Sequence, residues 1–298
     1  DGKITAGSGG FVYLVAPNIQ NSGIIRADGG EIILAAGKSV EIVSPNSPDV
    51  RVTITAPDNQ AVNIGQIIAS KIGMYGGLIR QAGVINANTA VRGENGKIVF
   101  RATKDVTLAA GSTTTANGPT GGSITVQSDS GKATIAGAVT ANGTEGKGGT
   151  IAVAAPQGVS VEATGRVSAN GTEGGSISLS AAAGAVSVAG SVTANATTGR
   201  AGEVALNAAS SANLLVGGLA SASGGLGGGS VSIKGGSAVT LESGSTVDVT
   251  GANGGVVAVQ SEFGTVFAQG VIDARASDGI GGSVQLAALS AITLDAGS

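Results

Sequence analysis

The sequence contains no cysteine, no histidine and no tryptophan among its 298 residues. Without cysteine or histidine the chain cannot form a Ser-His-Asp triad, a cysteine nucleophile or a tetrahedral zinc site. The Gly-Gly-x-Gly-x-Asp repeat that binds calcium in β-rolls is also absent. These absences predict a protein that is not an enzyme and that uses no cofactor or metal. If such a chain is secreted, its stability must come from backbone hydrogen bonds rather than from disulfides.

Charged and aromatic residues are scarce as well. Only 12% of the residues are charged and 2% are aromatic, and the formal net charge is -3. A surface with so little charge has no electrostatic footprint for nucleic acid or for an anionic membrane. No run of 18 apolar residues occurs, so we predict no transmembrane segment.

Glycine, in contrast, is abundant and regularly placed, with 53 residues in the chain. A marker glycine recurs every 26 or 27 residues, at Gly122, Gly149, Gly175, Gly202, Gly229, Gly255 and Gly282. Between markers, three short runs of alternating apolar residues are separated by turn residues, and no helical period competes with them. This repeat predicts an all-β fold, a right-handed parallel β-helix (a three-faced β-solenoid) of about eleven coils of 19–27 residues.

The stacking of coils predicts columns of inward-facing apolar residues. On the first face these columns contain Ile124, Val126, Ile151, Val153, Ile177, Leu179, Val204, Leu206, Val231, Ile233, Val257, Val259, Val284 and Leu286. The same pattern pairs Leu214 with Val216 on the second face and Leu219 with Ser221 on the third. It also places Val266 and Ala268, or the neighbouring Phe267, on the second face.

Glycine and asparagine residues between the strands predict the corners of the coil. We expect the glycines to adopt a positive φ there, and Asn142, Asn170, Asn195 and Asn253 to do the same. Three of these asparagines, Asn142, Asn170 and Asn195, are also formal glycosylation sequons at one corner of successive coils. A corner asparagine is needed in any case, and we weigh this structural role above modification.

The first 111 residues differ from the remainder, although we predict that residues 1–298 form one continuous β-helix. Two shorter coils are marked by Gly10 and Gly30, and regular 26–27-residue repeats occupy residues 112–298. Between residues 44 and 70 the register breaks around three prolines. We interpret this stretch as an insertion, a strand pair or irregular coil that leaves the rod. It is either a decorated loop or a surface for a partner. Both chain ends lie within a coil, so we expect a fragment of a longer protein.

Part of this region resembles a known family. The stretches are Val12-Tyr-Leu-Val-Ala-Pro17, Asn21-Ser-Gly-Ile-Ile25, Leu34-Ala-Ala-Gly37-Lys-Ser-Val-Glu-Ile42 and Gly77-Leu-Ile-Arg-Gln-Ala-Gly-Val-Ile-Asn-Ala87-Asn. Over roughly residues 9–111 they resemble the haemagglutination-activity region of filamentous-haemagglutinin-like exoproteins of two-partner secretion systems. The family's Asn-Pro-Asn-Gly motif is absent. The resemblance implies a secreted β-helical filament at the Gram-negative cell surface, exported by an outer-membrane transporter.

Three functions follow from these observations. The first is the shaft of a surface adhesin that mediates attachment, aggregation or biofilm cohesion, with a cell-surface polysaccharide or a host receptor as its partner. The second is a polysaccharide-binding matrix module. The third is a β-helix enzyme that cleaves polysaccharides with paired carboxylates. Its best candidate cluster is Asp248, Asp273 and Arg275, which we interpret as a structural pair on a shaft.

Overall fold

The computed structural model describes residues 2–37, 39–42, 50–53, 59–90 and 95–295. Within them the chain forms β-strands and no helix. The strands of the N-terminal region are β1 (Lys3–Ala6), β2 (Phe11–Ala16), β3 (Ile19–Asn21), β4 (Ile24–Ala36), β5 (Ser39–Ile42), β6 (Val50–Thr53), β7 (Gln60–Asn63), β8 (Gln66–Gly76), β9 (Leu78–Gln81) and β10 (Val84–Asn86).

The remaining strands repeat a longer coil. They are β11 (Lys97–Ala102), β12 (Val106–Leu108), β13 (Thr113–Thr115), β14 (Ser123–Ser128), β15 (Lys132–Ile135), β16 (Ala138–Thr140), β17 (Thr150–Ala154), β18 (Gly158–Val161), β19 (Arg166–Ser168), β20 (Ser176–Ala181), β21 (Ala185–Val188), β22 (Ser191–Thr193), β23 (Glu203–Ala208), β24 (Ser211–Leu214), β25 (Leu219–Ser221), β26 (Gly224–Gly227), β27 (Ser230–Gly235), β28 (Ala238–Leu241), β29 (Thr246–Asp248), β30 (Gly251–Asn253), β31 (Val256–Ser261), β32 (Thr265–Ala268), β33 (Val271–Asp273), β34 (Ser283–Ala288) and β35 (Ala291–Leu294).

These strands stack into three faces, which confirms the predicted solenoid of parallel coils. The second face is an 11-stranded parallel sheet that runs from β3 to β35. The first and third faces join into one 20-stranded sheet, because the long strands β4 and β8 each contribute to both. The right-handed sense of the coil stays a prediction. None of the described segments forms a helix long and apolar enough to cross a membrane.

The first-face columns are the core of the solenoid. Ile124, Ile151 and Ile177 are in register on adjacent strands, and each is fully buried. The predicted column residues from Ile124 to Val259 are buried in the same way. At the C-terminal coil the column opens, so Val284 is exposed and Leu286 is partly buried.

The second and third faces correct two of the predicted pairs. Leu214 is buried together with Ala212, whereas Val216 lies beyond the end of β24 and is 68% exposed. On the third face Ala220 and Ala222 are the buried pair, and Leu219 points outward. The ladder imposes this choice, because Ala220 is in register with the buried Val192, and a slip of one residue would turn every side chain over.

Phe267 is a further correction to the core. It points outward between Val266 and Ala268, which are both buried. Its register partner on the preceding coil is the outward Thr240.

The marker glycines also have a different physical reason from the predicted one. Among the described residues a positive φ occurs only at Gly9, Gly29, Gly111, Gly158, Gly217 and Gly244, and at no asparagine. A Cβ on Gly202 would lie 1.8 Å from the carbonyl oxygen of Gly175, and one on Gly149 would lie 2.0 Å from that of Gly122. The marker position therefore requires glycine because the coil below passes too close for any side chain.

The insertion begins and ends earlier than the predicted residues 44–70, because its first strand is β5 (Ser39–Ile42). Strands β5 and β6 form an antiparallel pair, as a strand-pair insertion would. The chain has rejoined the solenoid by Gln60, because β7 pairs with β3 and β9 on the second face and β8 pairs with β4. Residues 60–70 are thus part of the coil. Residues 43–49 and 54–58, which the prediction included in part, lie outside the described residues.

Three buried amides in the first coils were not predicted. Asn21, Asn63 and Gln81 take an inward position of the second face, where later coils carry Leu108 and Ile135. The Asn21 Nδ2 donates to Asn63 Oδ1 at 2.8 Å, and Asn63 Nδ2 donates to Gln81 Oε1 at 2.7 Å. Stacked amides satisfy one another, so polar side chains replace leucine and isoleucine here without losing hydrogen bonds.

Candidate functional site

A ladder of side-chain carboxamides follows the corner after the third face. The backbone N–H of Asn142 donates to Asn117 Oδ1 at 2.7 Å, and that of Asn170 donates to Asn142 Oδ1 at 2.8 Å. The same bond joins Asn195 N–H to Asn170 Oδ1 at 2.7 Å. We call this column, which consists of Asn88, Asn117, Asn142, Asn170 and Asn195, the corner ladder. Its side chains satisfy backbone donors that the strands leave unpaired at the corner.

Removing one step of the corner ladder is expected to loosen the coil locally. In an Asn142→Ala variant, the Asn170 N–H and the Ser168 hydroxyl lose their shared acceptor. We expect the free energy of unfolding to fall by about 1–2 kcal/mol and the Asn170 amide to exchange hydrogen faster. Asn142→Asp keeps the acceptor oxygen and is the control. Equal exchange rates at Asn170 in the alanine variant and the parent would contradict this role.

The predicted sequons are therefore members of the corner ladder. Asn142, Asn170 and Asn195 each use Oδ1 to accept a backbone N–H of the next coil. This contact explains why asparagine recurs there, without reference to modification. Glycosylation of these residues stays a prediction.

In the coils after Asn195, aspartate side chains accept the backbone N–H groups of the corner. The Thr250 N–H donates to Asp248 Oδ1 at 3.0 Å, and the Arg275 N–H donates to Asp273 Oδ1 at 3.0 Å. Each aspartate lies two residues before the corner donor that it serves, whereas each asparagine lies one coil away. Asp248 and Asp273 are in register on β29 and β33, as the repeat predicted.

Arg275 completes this cluster. Its Nε and Nη2 donate to both oxygens of Asp273, at distances of 2.5 to 3.0 Å. The guanidinium hydrogen bond holds the pKa of Asp273 below its ordinary range. Hydrogen bonding to Asp273 raises the pKa of Arg275, and the charge of Asp248 adds a smaller contribution. The predicted cluster is thus brought together, with Asp248 also accepting a hydrogen bond from the Ser221 hydroxyl.

The cluster lines a groove of about 740 Å³ that crosses three successive coils. Its polar wall carries the cluster with Thr250 and Ser277, and its apolar wall carries Leu219 and Val271 with Thr246 between them in the same column. Sequence reasoning found the charged residues because the repeat aligns them. It missed the groove, which depends on the small sheet of β26 and β30 beside the third face.

The cluster contains two carboxylates and one guanidinium. Among the residues that the structure describes, no three acidic side chains come close enough together to hold a metal ion. Both carboxylates accept backbone N–H groups of the corner.

A second polar cluster lies on the first face of the N-terminal coils. The Tyr13 hydroxyl donates to Glu31 Oε2 at 3.0 Å, and the ring of Phe11 lies 6.0 Å from that of Tyr13. Glu31 is buried and is in register with Lys71. Burial, then the hydrogen bond to Glu31 and its charge, raise the pKa of Tyr13 to about 12.

The raised pKa of Tyr13 predicts a loss of folding stability at alkaline pH. The fold favours the neutral phenol, so the stabilisation is complete below pH 10 and is lost as the pH rises from 10.0 to about 12. An ultraviolet titration of a Tyr75→Phe variant, which leaves one of the two tyrosines, should report the Tyr13 pKa. Glu31→Gln should move it back toward the ordinary value. Identical titrations with and without Glu31 would contradict the assignment.

The fold defines the class of protein as a β-solenoid repeat protein. Comparison with known proteins finds no match: no family model fits the chain, and neither a curated protein nor a solved structure is significantly similar to it. The resemblance to filamentous-haemagglutinin-like exoproteins stays a prediction.

Proposed function

We propose that this chain is the structural shaft of a secreted, cell-surface filamentous adhesin that mediates attachment, aggregation or biofilm cohesion. The observation that supports this best is the continuous stacking of coils. Each second-face strand from β3 to β35 pairs in parallel with the next, and one apolar core cluster extends beside them from Val12 to Ala268. Such a solenoid is compatible with a rod-like structural shaft.

The mechanism that we propose is mechanical. Eleven strands stacked about 4.8 Å apart give a rod of about 50 Å. The backbone ladders resist bending, because each second-face strand between β3 and β35 is hydrogen-bonded to the coils on both sides. The apolar columns and the corner ladder keep the coils in register. A rod of this kind holds binding regions at a distance from the cell and repeats weak contacts along its length.

The location and partners of the protein belong to the same proposal. The resemblance of residues 9–111 supports export by an outer-membrane transporter of the two-partner type and display at a Gram-negative surface. The surface contact would be a polysaccharide or a host receptor. We also propose that the chain is not an enzyme, a view supported by the structural use of Asp248 and Asp273 in the corner.

Cells of the source organism allow a direct test. Antibodies against this chain should label intact cells, and deletion of its coding region should reduce attachment. An in-register deletion of residues 122–201 removes three coils, because Gly122 and Gly202 are equivalent markers. It should keep surface labelling but weaken attachment by shortening the rod. Labelling only after lysis, or attachment that is unchanged in both deletions, would overturn the proposal.

The groove supports a second candidate function, a polysaccharide-binding matrix module. This function differs from the first in where the contacts lie, because the shaft itself would then bind the polymer. The observation that favours it is the open groove with mixed polar and apolar walls.

A further inference from the structure

The groove at Asp248, Asp273 and Arg275 is a built feature of the coil stack. Gly224, Gly225 and Gly251 line it without side chains. A Cβ on Gly224 or on Gly251 would lie 2.5 Å from a neighbouring carbonyl oxygen, so glycine is required at both positions. The hollow therefore follows from coil packing.

Its apolar wall differs from the three coils before it. Leu219 and Val271 hold the first outward position of their third-face strands, and Val271 is 60% exposed. The same position carries Ala138, Arg166 and Ser191 in the three coils before Leu219. Leu219 and Val271 therefore add apolar contact area to the groove, with Thr246 between them in the same column.

The polar wall, two residues further along the same strands, offers hydrogen bonds with a fixed geometry. The Arg275 side chain is 85% exposed, but its bidentate contact with Asp273 holds the guanidinium plane in place. The Thr250 hydroxyl donates to Asp248 and the Ser277 hydroxyl donates to Asp278, so both oxygens can accept a hydrogen bond from a ligand. Two carboxylates and one guanidinium give this wall a net charge of one negative unit.

These walls match the chemistry of a sugar chain. A pyranose ring has apolar C–H faces and a rim of hydroxyl groups, and the groove spans three successive coils. The net negative charge repels uronate and sulfate groups, since like charges brought together at an interface cost binding energy. We propose that the groove binds a neutral polysaccharide, with ring faces on Leu219 and Val271 and ring hydroxyls on Arg275 and Asp248.

This inference deepens the second candidate function and rests on it. It does not depend on the proposal that the chain is the shaft of an adhesin. Binding at one groove involves few contacts, so we expect it to be weak. Many copies of the chain at one surface would raise the overall affinity without any new contact.

The test uses the purified chain and polymers that differ only in charge. Dextran, mannan, galactan and xylan are the neutral probes, and their sulfated forms are the matched anionic probes. In affinity electrophoresis, at least one neutral polymer should retard the chain. The sulfated form of that polymer should bind with an affinity at least about tenfold lower. Retardation by sulfated polymers alone would overturn the inference but keep polysaccharide binding. Retardation by none of the polymers would overturn both.

Two variants locate the site. Ser277→Trp places a large ring in the groove from an exposed position, and it should abolish binding. Thr144→Trp is the matched control, because Thr144 is exposed and follows corner Gly143 as Ser277 follows Ala276, yet it lies outside the groove. Val271→Ser should weaken binding with unchanged circular dichroism. Equal loss in both tryptophan variants, or full binding by Ser277→Trp, would show that the polymer does not bind in this groove.

Discussion

Replacing Ile177 with aspartate is expected to lower the free energy of unfolding by about 3–5 kcal/mol. Ile177 is fully buried and is in register between Ile151 and Val204, so the new carboxylate would have only apolar neighbours in its column. A buried charge without a partner is among the most costly single changes known in proteins. Because each coil contacts only its neighbours, we expect the coils around β20 to unfold first.

The neighbouring serine provides the control for this prediction. Ser178→Asp places the same charge on the same strand but on its outward side, in register with Ala152 and Ala205. The free energies of unfolding of the two variants, measured in urea, should differ by most of the predicted value of about 3–5 kcal/mol. Hydrogen exchange should become faster in β17, β20 and β23 of Ile177→Asp only. The deficit of Ile177→Asp should shrink in acid, because burial raises the pKa of the new carboxyl and protonation removes its charge. Equal urea midpoints would show that the column assignment is wrong.

The second large effect is expected at a marker glycine. In Gly202→Ala, the added Cβ would lie 1.8 Å from the Gly175 carbonyl oxygen, a distance at which the two coils must separate. Neither atom can move away without breaking the ladders between β20 and β23. We expect the free energy of unfolding to fall by about 3 kcal/mol, the upper part of the range for overpacked sites.

Gly281→Ala distinguishes this explanation from a general effect of glycine. A Cβ on Gly281 would meet nothing within 4 Å, and its φ is not positive. Its change in stability should stay within about 0.5 kcal/mol. Thermal and urea unfolding of the two alanine variants would measure the difference. If both variants matched the parent, close packing of the coils could not be the reason for the markers.

One part of the candidate site could be predicted from the sequence, and another part could not. The repeat alone aligns Asp248 with Asp273, because residues one period apart must lie on adjacent coils. Their role was not visible in the sequence. Asn142 serves the next coil while Asp248 serves its own, and this choice depends on where each side chain turns at the corner.

The wrongly predicted core residues show where the periodicity of the sequence no longer indicates which side chains are buried. Val216 has the same parity as Leu214, but its strand ends before it, and no pattern of apolar residues marks that end. Leu219 is larger than Ala220 and would be chosen for any core by hydrophobicity alone. The ladder nevertheless directs Ala220 inward, because hydrogen bonds to the neighbouring coil set the register of the whole strand.

By itself, the sequence determined the all-β class, the period of the coil and most of the apolar columns. The alternation of apolar residues is a local property of each strand, and the same pattern recurs in every coil. The tertiary structure decided why the markers are glycine, where the insertion rejoins the solenoid, and which carboxamides form the ladder. It also decided the groove, whose lining comes from three coils and includes Gly224, Gly225 and Gly251. Each of these features depends on the distance between neighbouring coils, and that distance appears only when the coils are stacked.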